Sequence, residues 1–116
     1  MIGSTEHAEQ IGFVTWFRGK FPGVVLIAIP NGGARHIKTA VALKQEGVVA
    51  GVPDMFIPAW SLWLEMKKCR GGVVSKEQEK MFEYLRGIGH VVILGRGATD
   101  MSQQVLDFVQ HKDYKT

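Results

Sequence analysis

Residues 53–67 read Pro53-Asp54-Met55-Phe56-Ile57-Pro58-Ala59-Trp60-Ser61-Leu62-Trp63-Leu64-Glu65-Met66-Lys67. An aspartate opens an apolar run, a short break follows, and a second run ends in Glu-x-Lys. Both runs have the branched and aromatic content of buried strands. Met55 to Pro58 and Leu62 to Lys67 read as the arms of a hairpin. A turn centred between Ala59 and Trp60 pairs position 58 with 61 and sets Asp54 opposite Glu65. Facing residues on one side of an antiparallel pair have Cβ atoms about 4.5–5.5 Å apart. A one-residue slip would send the two carboxylates to opposite faces. Alternation puts Trp63, Glu65 and Lys67 on one face, and Leu62, Leu64 and Met66 on the other. Charge buried among apolar residues requires a partner. The three groups therefore form either an ion pair or a cation site.

The flanking chain builds outward from this hairpin. Ser4 or Thr5 can cap a helix through Glu6, Glu9, Ile11, Phe13, Val14, Trp16 and Phe17, with acids in its first turn. Val24 to Ile29 reads as a short buried strand, and Pro30-Asn31-Gly32-Gly33 as a turn. Arg35 to Glu46 has helical spacing and a basic exposed side, and Gly47 suits its C-terminal stop. Lys68-Cys69-Arg70-Gly71-Gly72 is a basic loop. Ser75-x-x-Gln78 has the form of a capping box before a helix with Met81, Phe82, Leu85 and Ile88 inward. Val91 to Leu94 is a further buried strand, Gly95-Arg96-Gly97 a turn, and Thr99 a cap for the last helix. The order predicts an α/β fold with a mixed sheet and helices on its faces, in one domain over residues 1–116.

Composition narrows the class. The chain has 116 residues, 46% apolar and 22% charged, with a net charge of +3. That suits a globular domain and is compatible with a nucleic-acid partner. A single cysteine, Cys69, excludes an internal disulfide framework and a multi-cysteine zinc site. The four histidines lack zinc-ligand spacing. No signal-peptide pattern or membrane-length apolar run occurs, so the expected location is the cytoplasm.

Two carboxylates on adjacent strands, a lysine two residues beyond one of them, and a glutamate on the first helix make a plausible phosphodiester-hydrolysing set. Hard cations such as Mg²⁺ take oxygen ligands from one or two carboxylates. Such an ion lowers the pKa of a nearby water and offsets charge in the transition state. A lysine beside it can orient or deprotonate the water and hold a phosphate oxygen.

The order Pro-Asp, then Glu-Met-Lys, resembles the PD-(D/E)xK nuclease superfamily. The resemblance extends to its VRR-NUC family through Glu6-His7-Ala8-Glu9-Gln10, Pro30-Asn31-Gly32-Gly33 with Arg35, Gly47 to Asp54, Glu65-Met66-Lys67, Gly71-Gly72 and Ser75-x-x-Gln78, spanning about residues 5–110. It implies a restriction-endonuclease-like fold and a Mg²⁺- or Mn²⁺-dependent, structure-selective DNA endonuclease. Short stand-alone members, often phage-encoded, resemble Holliday-junction resolvases and act as homodimers; a flap nuclease, an exonuclease or a non-catalytic nucleic-acid-binding module are the alternatives. By this resemblance Asp54 and Glu65 are metal ligands, with the Met66 carbonyl as a third oxygen. Lys67 is the catalytic lysine, and Gln78 the helix glutamine beside the site. Glu9, and alternatively Glu6, is the first-helix glutamate. DNA contacts are expected from Asn31, Arg35, His36 and Lys38, from Lys68 and Arg70, and from Ser75. The short hairpin flanked by Trp60 and Trp63 departs from the family pattern.

Overall fold

The computed structural model describes residues 5–30 and 40–114. The elements are α1 (Glu6–Lys20), β1 (Ile27–Ala28), α2 (Ala40–Gln45), β2 (Met55–Ile57), a 3₁₀ turn (Pro58–Trp60), β3 (Leu62–Lys67), α3 (Lys76–Gly87), β4 (Val91–Arg96) and α4 (Ala98–Tyr114). The four strands lie in sequence order in one sheet. β1 pairs with β2 and β2 with β3 antiparallel, while β3 pairs with β4 in parallel through α3. A parallel neighbour requires a crossover of this length.

The hairpin register is the expected one. Met55 faces Leu64 and Ile57 faces Leu62. Continued by one residue, it sets Asp54 across from Glu65. Ser61 closes the turn in the left-handed region, at φ 47°.

Alternation along β3 divides the interior into two layers. Leu62, Leu64 and Met66 join Met55, Ile57 and Ile93 in a core closed by Phe13 and Phe17 of α1 and by Met101 and Val105 of α4. Trp60 packs edge-on against Phe17 and Phe21 in this layer. Trp63 faces the other side, where Phe82 and Leu85 of α3 cover Val92. The α4 layer approaches closely at Gly95, where a methyl group would lie 2.7 Å from Met101 Cβ.

Several local expectations change. The strand expected over Val24–Ile29 is a two-residue edge strand. Leu26 is buried, but Val25 and Ile27 are exposed, because an edge position leaves part of the run uncovered. Thr5 caps α1, its hydroxyl accepting from Ala8 N at 3.0 Å. Ile11 lies outside the buried stripe set by Phe13 and Phe17, and Ile88 is likewise exposed beyond the end of α3. Gly95 and Arg96 continue β4 rather than turning. Helix α4 begins at Ala98, one residue before the expected Thr99 cap. Its first amide, Ala98 N, donates to Glu9 Oε1 at 2.6 Å, so a side chain from α1 replaces a local cap. Of the expected helix Arg35–Glu46, only Ala40–Gln45 is described as helix; residues 31–39 lie outside the described residues. Among the described residues no helix is long and apolar enough to cross a membrane.

Candidate active site

The carboxylates and the lysine meet at the end of the β2–β3 hairpin. A cleft of about 530 Å³ is lined there by Glu6, Asp54, Glu65, Lys67, Ser75, Glu77, Gln78 and the segment Val48 to Val52. β3 delivers Glu65 and Lys67 on one face, as period-two alternation requires. Both are buried, Glu65 3% and Lys67 8% exposed.

Asp54 is fixed by backbone on both sides. Its carbonyl accepts from Ile29 N at 2.7 Å. Its Oδ2 accepts from Met66 N at 2.8 Å, so the carboxylate itself ties the start of β2 to the end of β3.

Gln78 links the other groups. Its Nε2 donates to Glu65 Oε2 at 2.9 Å. Its Oε1 accepts from Lys67 Nζ at 3.1 Å and from Ser75 N at 2.9 Å. Gln78 N in turn donates to the Ser75 hydroxyl at 3.1 Å, completing the capping box of α3. One side chain thus closes the helix end and spans the acid–lysine pair. Lys67 Nζ lies 3.6 Å from Glu65 Oε2. The N-terminus of α3 comes this close because of Gly51, which sits at φ +87°. A methyl group there would lie 2.6 Å from the Glu77 carbonyl carbon and 2.9 Å from Gln78 N.

The electrostatics are unbalanced. Burial pushes the Glu65 carboxyl up to about 7, and the negative charges of Asp54 and, more weakly, Glu6 add to the rise, while Lys67 opposes it. Glu65 Oε1 is buried without a hydrogen-bond partner. Such an oxygen normally has a partner or an ion. Asp54 and Glu65, repelling each other next to an unsatisfied oxygen, fit a hard divalent cation, which would oppose both effects. Among the described residues no group of three or more His, Cys, Asp or Glu side chains could hold a metal ion. The acidic groups that the described residues bring together there are therefore two, Asp54 and Glu65.

The expected residues divide. Asp54, Glu65, Lys67, Gln78, Glu6 and Ser75 line one cleft. Glu9, the first choice on α1, does not line it; its Oε1 is engaged at the start of α4. Glu6 lines the cleft and acts on the charge of Glu65. Lys68 and Arg70 are exposed on the loop after β3. Asn31, Arg35, His36 and Lys38 lie outside the described residues. Glu77, in the first turn of α3, also lines the cleft, and its place directly before Gln78 in the capping box is the sequence signal for it. Trp63, on the face of Glu65, stacks on Phe56 at 4.1 Å and donates from Nε1 to His90 Nδ1 at 2.8 Å.

Comparison with known proteins bears on the fold. No family model matches the chain. No curated protein matches it. Among solved structures, a "VRR_NUC domain protein" is similar over 93% of this chain and 90% of that chain, with a TM-score of 0.74 and 20% identity. The chain has the fold of that protein: a mixed four-stranded sheet flanked by helices, the restriction-endonuclease-like class expected from its motifs.

Proposed function

We propose that the chain is a VRR-NUC nuclease of the PD-(D/E)xK type that hydrolyses DNA phosphodiester bonds with Mg²⁺ or Mn²⁺, and that its substrate is branched DNA, in particular a four-way junction cut by a homodimer. The observation that carries the reading is the group formed by Asp54, Glu65, Gln78 and Lys67, with the buried Glu65 Oε1 left without a partner. A likeness in fold to a VRR_NUC domain protein supports it.

Asp54 and Glu65 would hold the cation, with the Met66 carbonyl contributing and Glu6 lining the same cleft. When bound, the ion supplies charge stabilisation at the phosphate and a more acidic water. Lys67 is held by Gln78 with its ammonium beside Glu65, where it can hold a water or a phosphate oxygen and transfer a proton at Nζ. Gln78 keeps Glu65 and Lys67 in register through its two ends, a preorganisation that lowers the cost of reaching the transition state. Exposed Lys68 and Arg70 stand ready for phosphate contacts, which position a nucleic acid without reading its sequence. Paired cuts on a four-way junction require two sites, and the described residues of one chain form one such group, which supports a dimer.

The test is cleavage of a labelled four-way junction, a flap and plain duplex, with Mg²⁺ and with EDTA. Metal-dependent cutting of the junction in preference to the others is expected. Cutting of the flap or of duplex ends would identify a flap nuclease or an exonuclease instead. Lys67→Ala and Asp54→Ala should abolish cleavage while retaining fold and DNA binding. Unchanged cleavage by both variants, or no metal-dependent product from any substrate, would overturn the nuclease reading.

A further inference from the structure

Lys67 ends a strand, where a long side chain has many rotamers, yet it is buried and its ammonium is aimed at Gln78. One side of its stem is closed by Gly72. A methyl group at Gly72 would lie 3.0 Å from Lys67 Cβ, 3.3 Å from Lys67 Cδ and 3.5 Å from Arg96 Nη1. The φ of Gly72 lies outside the left-handed region, so glycine serves there to admit the lysine rather than to permit the backbone.

The Gly72 carbonyl accepts from Arg96 Nη1 at 2.8 Å. Arg96 is the cross-strand partner of Lys67 in the parallel β3–β4 ladder, so both side chains leave the same face. Its own backbone is anchored, with Arg96 N donating to Asp100 Oδ2 at 2.8 Å. That carboxylate also accepts from Gln104 Nε2 at 3.1 Å. Beside it, Gly97 N donates to Lys67 O at 2.9 Å. A chain of contacts therefore runs from the first turn of α4 through Arg96 to the loop that presses on Lys67.

We propose that Arg96 is a positioning residue for Lys67, acting through the Gly72 carbonyl: it holds the 68–74 loop against the lysine stem and so keeps Nζ at Gln78 and Glu65. The inference rests on the nuclease reading for its kinetic consequence, but the positioning can be measured without activity.

The experiment uses the full chain with Arg96→Met, Arg96→Lys and Gly72→Ala, each checked for retained fold by circular dichroism. In ¹³C-lysine-labelled protein, the Lys67 ε-methylene signal is assigned by its loss in Lys67→Met. It should stand apart from the exposed lysines in the wild type. It should move toward them in Arg96→Met and Gly72→Ala, and move back in Arg96→Lys, whose ammonium can still donate to the Gly72 carbonyl. On DNA substrate with Mg²⁺, kcat should fall roughly tenfold to a hundredfold in the first two variants, the usual cost of a small misplacement, with KM within about twofold of wild type.

A Lys67 signal unmoved in Arg96→Met would overturn the proposal whatever Gly72→Ala does, since the added methyl meets the Lys67 stem directly. So would Arg96→Met with intact kcat, a raised KM and a salt dependence of DNA binding shallower by about one, the signature of a direct phosphate contact. Failure of the nuclease reading looks different: Lys67→Met would cut at the wild-type rate, or the wild type would cut nothing, while the lysine signal would still decide the positioning.

Discussion

Glu65→Gln isolates the charge at the centre of the cleft. The amide has the shape of the carboxylate and can still accept from Gln78 Nε2, so packing is retained while the negative charge is removed. In the wild type the carboxyl ionises near 7 in the folded chain rather than near 4.5, because it is buried and faces Asp54. Folded protein therefore holds the proton more tightly than unfolded chain between these two values, and stability falls as pH rises through that window. At about 1.4 kcal/mol per pH unit, the whole window is worth roughly 3 kcal/mol. In metal-free buffer, urea unfolding at pH 4.5 should give a fixed difference between Glu65→Gln and wild type. By pH 8 that difference should have moved in favour of the variant by roughly 3 kcal/mol. A difference that stays constant from pH 4.5 to 8 would refute the claim that Glu65 is a desolvated, raised acid.

Three further outcomes follow from the same geometry. Adding Mg²⁺ at pH 8 should stabilise the wild type, by about 1.4 kcal/mol at tenfold excess over its dissociation constant; Asp54→Asn with Glu65→Gln should lose that gain, as read by thermal melting with and without EDTA. Gly51→Ala, at φ +87° and against the Glu77 backbone, should destabilise the fold by at least about 2 kcal/mol and slow cleavage by displacing Gln78, seen in unfolding curves and turnover together. Glu9→Ala should cost about 1.5–3 kcal/mol of stability through the lost contact to Ala98 N and leave Mg²⁺ affinity unchanged by titration calorimetry, whereas Glu6→Gln, which removes a nearby negative charge but no ligand, should weaken Mg²⁺ binding only modestly, less than Asp54→Asn, and without loss of stability.

Much of the fold was legible because its signals are local. Period-two alternation from Leu62 to Lys67 put Glu65 and Lys67 on one face, and the turn between Ala59 and Trp60 set the register that brings Asp54 to Glu65. The capping box identified the start of α3 from four residues. Edge exposure was not legible: Val24 to Ile29 has the composition of a buried strand, and only its place at the margin of the sheet leaves Val25 and Ile27 uncovered. The first-helix glutamate was ambiguous for the same kind of reason. Glu6 and Glu9 both lie in the first turn of α1, and the pattern cannot say which neighbour each will meet.

From the sequence alone came the residue types, their order and the faces they occupy, because strand and helix periods are properties of the backbone. Tertiary structure decided which of those faces meet. It assigned Glu9 to the amide of Ala98, 89 residues away, and Glu6 to the cleft. It made Gln78 serve both the helix cap and the pair Glu65–Lys67, two readings that the sequence presents as rivals. It also converted Arg96 from a turn residue into the neighbour of Lys67. Such assignments depend on distances across packed elements, which no local pattern of residues encodes.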